Sequence, residues 1–110
     1  MAAPPDGARA LEADARGNLY LARGAGIFQV TPDGEEISLV NFERQVISLA
    51  SGPRGRLYAL DEAGTVYRVH ADGTAEIVTK GLKDASAIAV DRDGTVMVTN
   101  ISGSVGPAVP

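Results

Sequence analysis

Hydrophobic residues in this chain fall in short runs bounded by Gly, Asp, Asn or Pro, and many of those residues are β-branched. No stretch keeps helical spacing beyond a turn or two, so the pattern predicts strands throughout. Ten are expected, at 10–14, 18–22, 26–31, 35–42, 46–50, 56–60, 65–70, 75–79, 87–91 and 95–100. Three of them, around Leu19-Tyr20-Leu21, Leu57-Tyr58-Ala59-Leu60 and Val96-Met97-Val98, are apolar at consecutive positions. A strand with one wet face would alternate, so both faces of these strands must be covered. The expected core is therefore Leu19, Tyr20, Leu21, Leu57, Tyr58 and Val96. The strands at 26–31 and 65–70 do alternate, with Phe28 and Val30 or Tyr67 and Val69 on one face and Gln29, Arg68 or His70 on the other. They are expected to lie further from the centre.

The pattern repeats. Gly17-Asn18-Leu19-Tyr20-Leu21 returns 38 residues on as Gly55-Arg56-Leu57-Tyr58-Ala59, and 39 further on as Gly94-Thr95-Val96-Met97-Val98. Phe28-Gln29-Val30-Thr31-Pro32-Asp33-Gly34 is echoed by Tyr67-Arg68-Val69-His70-Ala71-Asp72-Gly73, with no third copy. Such a period marks a repeat architecture. Gly17, Gly34, Gly55, Gly73 and Gly94 each stand where a tight hairpin needs positive φ, so they are expected as structural turns. The expected organisation is an N-terminal arm at 1–9, a repeat domain at 10–100 and a flexible C-terminal tail at 101–110. Within the domain, unit one spans 10–45, unit two 46–86 and a half unit three 87–100. Small four-stranded antiparallel sheets stacked face to face would cover both faces of the apolar strands, as the blades of a propeller do. The expected fold is all-β, an incomplete arc of about two and a half blades.

Two stretches carry a family resemblance. Asp14-Ala15-Arg16-Gly17-Asn18-Leu19-Tyr20-Leu21-Ala22, followed by Val30-Thr31-Pro32-Asp33-Gly34, resembles the blade motif of NHL-repeat propellers and of the related gluconolactonase and senescence-marker-protein superfamily. Ile88 to Asn100 is similar to the first half of such a blade. The resemblance implies a β-propeller over roughly residues 10–100. Its matching positions are turn and core residues, so it specifies a blade rather than an activity.

Composition narrows the chemistry. Net charge is -4, the Lys and Arg residues are scattered singly, and only 5% of residues are aromatic. Nucleic acid is therefore not an expected partner. With no cysteine and a single histidine, thiol chemistry and Cys-based metal sites are excluded. No basic start leads into an apolar run, and no run is long enough to cross a bilayer, so no membrane is expected and a cytoplasmic location is.

The remaining candidates for chemistry are thin. Asp91-Arg92-Asp93-Gly94 offers alternating carboxylates like the start of a calcium loop, but units one and two lack the second carboxylate, so a plain turn is expected. His70 has no Ser or Cys motif beside it, and Glu35-Glu36 and Asp61-Glu62 read as solvated surface. Arg23, Asp61 and Asn100 each close the second strand of a unit. In gluconolactonase-like families that end of the blades carries acidic and amide metal ligands, and Arg23 breaks the set here. No catalytic, cofactor or metal residue is assigned, and no cofactor is expected.

The second strand of unit three, Thr95, Val96, Met97, Val98, Thr99 and Asn100, has no third or fourth strand after it in this reading. An open edge of that kind invites pairing. The expected function is accordingly a non-enzymatic module that assembles with copies of itself or docks into a larger protein complex. The alternatives are a lactonase-like or lyase-like enzyme whose site forms only in a closed oligomer, and a small-ligand or carbohydrate binder with one shallow site per repeat.

Overall fold

The computed structural model describes residues 8–14, 16–100 and 105–107. Three antiparallel sheets follow one another along the chain. The first is β1 (Ala8–Ala13), β2 (Leu19–Arg23), β3 (Gly26–Val30) and β4 (Glu36–Asn41), paired in that order. The second repeats it with β5 (Val46–Ser51), β6 (Leu57–Asp61), β7 (Val66–Val69) and β8 (Ala75–Thr79). The third holds β9 (Ala85–Val90), β10 (Val96–Asn100) and β11 (Val105–Pro107). All ten expected strands are present, with ends that differ by up to two residues. Each sheet is a meander of hairpins in chain order, the form of a propeller blade.

The hairpins follow from their turn residues. In five of them the amide of the first loop residue donates to the carbonyl four residues on, and the Gly three residues on donates back. This holds for Asp14 with Gly17, Thr31 with Gly34, Asp61 with Gly64, His70 with Gly73, and Asp91 with Gly94. Those glycines have φ between 83 and 89°, the left-handed region that a three-residue hairpin loop requires. Asp14, Asp61 and Asp91 lock the loop further, since each Oδ1 accepts the amides two and four residues on at 2.9–3.0 Å. The turn after β5 departs from this. Gly52 stands where units one and three have Asp14 and Asp91, and a Cβ there would meet Val90 Cγ1 of the third sheet at 2.7 Å. Close packing against the next sheet thus removes the Asp, and the loop closes instead through Pro53 and a left-handed Arg54 (φ 64°) before Gly55 (φ 73°).

The core lies between sheets rather than within one. Tyr20, Ala22 and Ile27 of the first sheet pack on Val46, Leu49, Leu57, Ala59 and Val69 of the second. On the other face of the second sheet, Ala50, Tyr58, Leu60 and Val66 pack on Ile88 and Val96 of the third. The consecutive apolar residues of β6 are divided between these two layers, Leu57 and Ala59 to one and Tyr58 and Leu60 to the other. All five residues of β6 are buried, as a strand covered on both faces must be. The faces of β3 and β7 alternate as expected, Tyr67 and Val69 joining one layer and Val66 the other, but Ile27 and Val66 are fully buried and Phe28 and Tyr67 only half so. Register shifts between Ile27 and Phe28, and between Val66 and Tyr67, change the pairing with the outer strand at those points.

Several expected boundaries move. Residues 8 and 9 belong to β1, and residues 1–7 of the expected arm lie outside the described residues. The third unit begins at Ala85. Within the expected flexible tail, Val105–Pro107 forms β11, while 101–104 and 108–110 lie outside the described residues. Asn100-Ile101-Ser102-Gly103-Ser104-Val105 is a third copy, 39 residues on, of Asp61-Glu62-Ala63-Gly64-Thr65-Val66. The third unit therefore continues into its third strand.

Candidate functional site

The expected open edge at Thr95–Asn100 is corrected by β11. Met97 pairs with Pro107, Val98 with Gly106 and Thr99 with Val105, so the outer side of β10 is occupied from within the chain. Val96 and Val98 pack into the layer against the second sheet, which sends Met97 and Thr99 to the opposite face. Among the described residues, two sheet faces have no further sheet against them, one at each end of the stack; Ile77 and Val78 on the outer strand β8 are exposed as well.

At the first end lies the outer face of the first sheet. Tyr20 and Ala22 face the second sheet, so Leu19 and Leu21 face away, and the register sets Leu11 beside Leu21, Phe28 beside Leu21 and Val30 beside Leu19. Leu21 at the centre is fully buried, Leu19, Phe28 and Val30 are half-buried, and Leu11 is exposed. The repeat explains the difference. Leu11, Leu49 and Ile88 are equivalent positions in the three units, and they are 57%, 6% and 8% exposed. Leu49 and Ile88 are covered by the sheet that precedes them; Leu11 has no preceding sheet among the described residues. For the same reason Leu19, expected in the core, is only half-buried, whereas its equivalents Leu57 and Val96 are buried. Arg23 sits at the rim of this face, its guanidinium 2.7 Å from Glu36 Oε1 and 5.4 Å from the Phe28 ring centroid. The Arg23 guanidinium holds the Glu36 carboxyl below the usual carboxylate range.

At the second end lies the outer face of the third sheet, formed by Ala87, Ala89, Met97, Thr99 and Pro107. Ala89 is exposed where its equivalent Ala50 is buried, and Thr99 is half-buried where its equivalent Leu60 is fully buried. Neither end face carries a charge at its centre.

The remaining candidate groups are committed to local structure. Asp61 is buried, and its Oδ1 accepts the Ala63 and Thr65 amides while its Oδ2 accepts the Tyr67 hydroxyl at 3.2 Å. Burial, with the Asp61 carboxylate beside it, pushes the Tyr67 phenol up. The Tyr67 ring stacks on Phe42 at 4.3 Å, beside an open cavity of about 360 Å³ that Arg44 and Glu43 also line. Asp91 holds its own turn, and His70 Nε2 lies 2.7 Å from Glu76 Oε1 on the neighbouring strand. Arg23, Asp61 and Asn100 all stand at strand ends, but the Asp61 carboxylate is spent on its loop. Among the described residues no three His, Asp or Glu side chains come together as a metal site would require.

Comparison with known proteins gives the fold and stops there. No family model and no curated protein matches this chain. Among solved structures, it is similar to virginiamycin B lyase from Staphylococcus aureus, with a TM-score of 0.70 and 17% identity over 96% of this chain and 42% of that one. It is similar to the extracellular domain of a protein assigned as a one-component system from B. thetaiotaomicron (TM-score 0.72, 20% identity, 91% of this chain and 15% of that one). A third structure, assigned as an oxidoreductase (glucose dehydrogenase) from Thermus thermophilus, matches with a TM-score of 0.62 and 24% identity over 83% of this chain and 36% of that one. The chain thus spans less than half the length of each. With its meandering antiparallel sheets, two of four strands and one of three, stacked face to face, it has the fold of β-propeller blades.

Proposed function

We propose that this chain is a non-enzymatic propeller module, of the NHL-like kind, that works by assembling through the ends of its stack with copies of itself or within a larger protein complex. The observation that carries this reading is the exposure of Leu11 at a position buried in both other units. An apolar sheet face of this kind is the surface by which blades join, and exposed apolar patches mark association surfaces. The reading also rests on the chemistry of the polar groups, since the buried carboxylate Asp61 is fully engaged by its own loop and by Tyr67.

Leu11→Glu places a charge on the open face, beside Leu21. The expected result is a lower particle mass by light scattering with an unchanged β signal in circular dichroism. Equal masses for the two proteins would count against assembly through this face. A second reading, an enzyme completed only on assembly, is favoured by the likeness to structures called a lyase and an oxidoreductase. It predicts turnover of a lactone or of virginiamycin B by the assembled protein, and such turnover would displace the non-enzymatic reading.

A further inference from the structure

The two end faces are the two halves of one interface that the chain already contains twice. In each internal contact, the face carrying Tyr20 and Ala22, or Tyr58 and Leu60, packs on the face of the next unit carrying Leu49 and Leu57, or Ile88 and Val96. The third sheet presents the first kind of face, with Met97 and Thr99 at the positions of Tyr58 and Leu60. The first sheet presents the second kind, with Leu11 and Leu19 at the positions of Leu49 and Leu57.

The geometry points to a second copy of this chain as the occupant, its first sheet seated head to tail on the third sheet of its neighbour. This deepens the assembly reading above and rests on it. Side-chain size differs between the two faces: small Ala87, Ala89 and Thr99 stand beside Met97 and Pro107 at one end, and Leu11, Leu19 and Phe28 at the other. Charge does not oppose the contact, since the charged pair Arg23–Glu36 lies at the rim.

The internal contacts also fix the register. Between the second and third sheets, Ser48 Oγ accepts the Ile88 amide at 3.1 Å. Ala10 occupies the position of Ser48 one unit earlier, and it packs on the layer that contains Leu49. Carried one unit further, the same relation sets Ala87 of one copy against Leu11 of the next. Because the two faces differ, the contact is heterologous: it closes into a ring if the rotation between copies permits and otherwise extends as a filament.

The chain has no cysteine, so single engineered thiols report contacts cleanly. Leu11→Cys and Ala87→Cys are purified separately and oxidised alone and as a mixture, with circular dichroism confirming the fold of each. A disulfide-linked species of twice the chain mass, formed in the mixture and absent from either protein alone, is the expected result. Cross-linking of either variant to itself would establish a two-fold contact and overturn the head-to-tail arrangement while leaving assembly standing. No cross-link in a protein that still has oligomer mass overturns the arrangement alone. No cross-link in a protein of monomer mass overturns both readings. A monomer that loses thermal stability when residues 2–7 are deleted would assign the first face to the chain's own N-terminal segment, and also overturns the proposal.

Discussion

Tyr58 shows how one residue ties the repeat to stability. It lies in a strand covered on both faces and packs with Leu60, Val66, Ile88 and Val96, so truncation to Ala leaves a cavity between two sheets. Loss of a buried aromatic ring of this size costs about 3–5 kcal/mol, and the chemical unfolding midpoint of Tyr58→Ala should fall accordingly. A midpoint within error of the parent would show that the ring is not packed between sheets. The turn carboxylates act at the same scale through pH. For Asp14, burial raises the pKa, but hydrogen bonds from the Asn18 side chain and from the Asn18 and Arg16 amides outweigh it, and the value lies below the ordinary one. Asp72 is lowered chiefly by the Thr74 hydroxyl and amide. A carboxyl depressed in the folded state contributes stability that is present above its unfolded pKa and is lost as pH falls through the folded one. Melting temperature should therefore hold from neutrality to about pH 5 and decline below about pH 4. Constant stability down to the acid limit would mean that these turn hydrogen bonds are not formed.

At the scale of elements, the strands were legible because each apolar run is punctuated by a turn residue whose role is local. Asp14 and Asp91 signal hairpins through the amides they bind, and that chemistry needs only five consecutive residues; Asp61, read from the sequence as solvated surface, makes the same bonds from a buried position. The third strand of unit three was not legible from the Pro-Asp-Gly echo, since the chain has no third copy of it. The signal lay earlier, in Asn100, Gly103 and Val105 repeating Asp61, Gly64 and Val66. Gly64 was the informative residue in that stretch, because a Cβ on it would come within 2.0 Å of the Leu82 carbonyl oxygen. Exposure of Leu19 and Leu11 could not be read from their local sequence, which matches that of buried Leu57 and Leu49; the presence or absence of a neighbouring sheet decides it. Sheet position also orders the dynamics. β6 is paired on both sides and covered on both faces, β10 is paired on both sides but covered on one face, and β4 and β8 are edge strands. Amide hydrogen exchange should be slowest in β6, intermediate in β10 and fastest in β4 and β8. Exchange in β10 as fast as in β8 would indicate that β11 does not hold the edge.

Across the whole molecule, three sheets form a stack measuring 39 × 27 × 27 Å, with apolar faces at both ends. Closed propellers contain about four to eight blades, and the described residues supply two four-stranded sheets and one three-stranded sheet. Among the described residues no sheet covers the two end faces, and the internal contacts show what such cover looks like. Particle mass by multi-angle light scattering, followed across a hundredfold range of protein concentration, tests this most directly. The account predicts a mass above that of the monomer at high concentration, falling toward monomer on dilution. A monomer of constant mass at every concentration, folded and soluble, would contradict it.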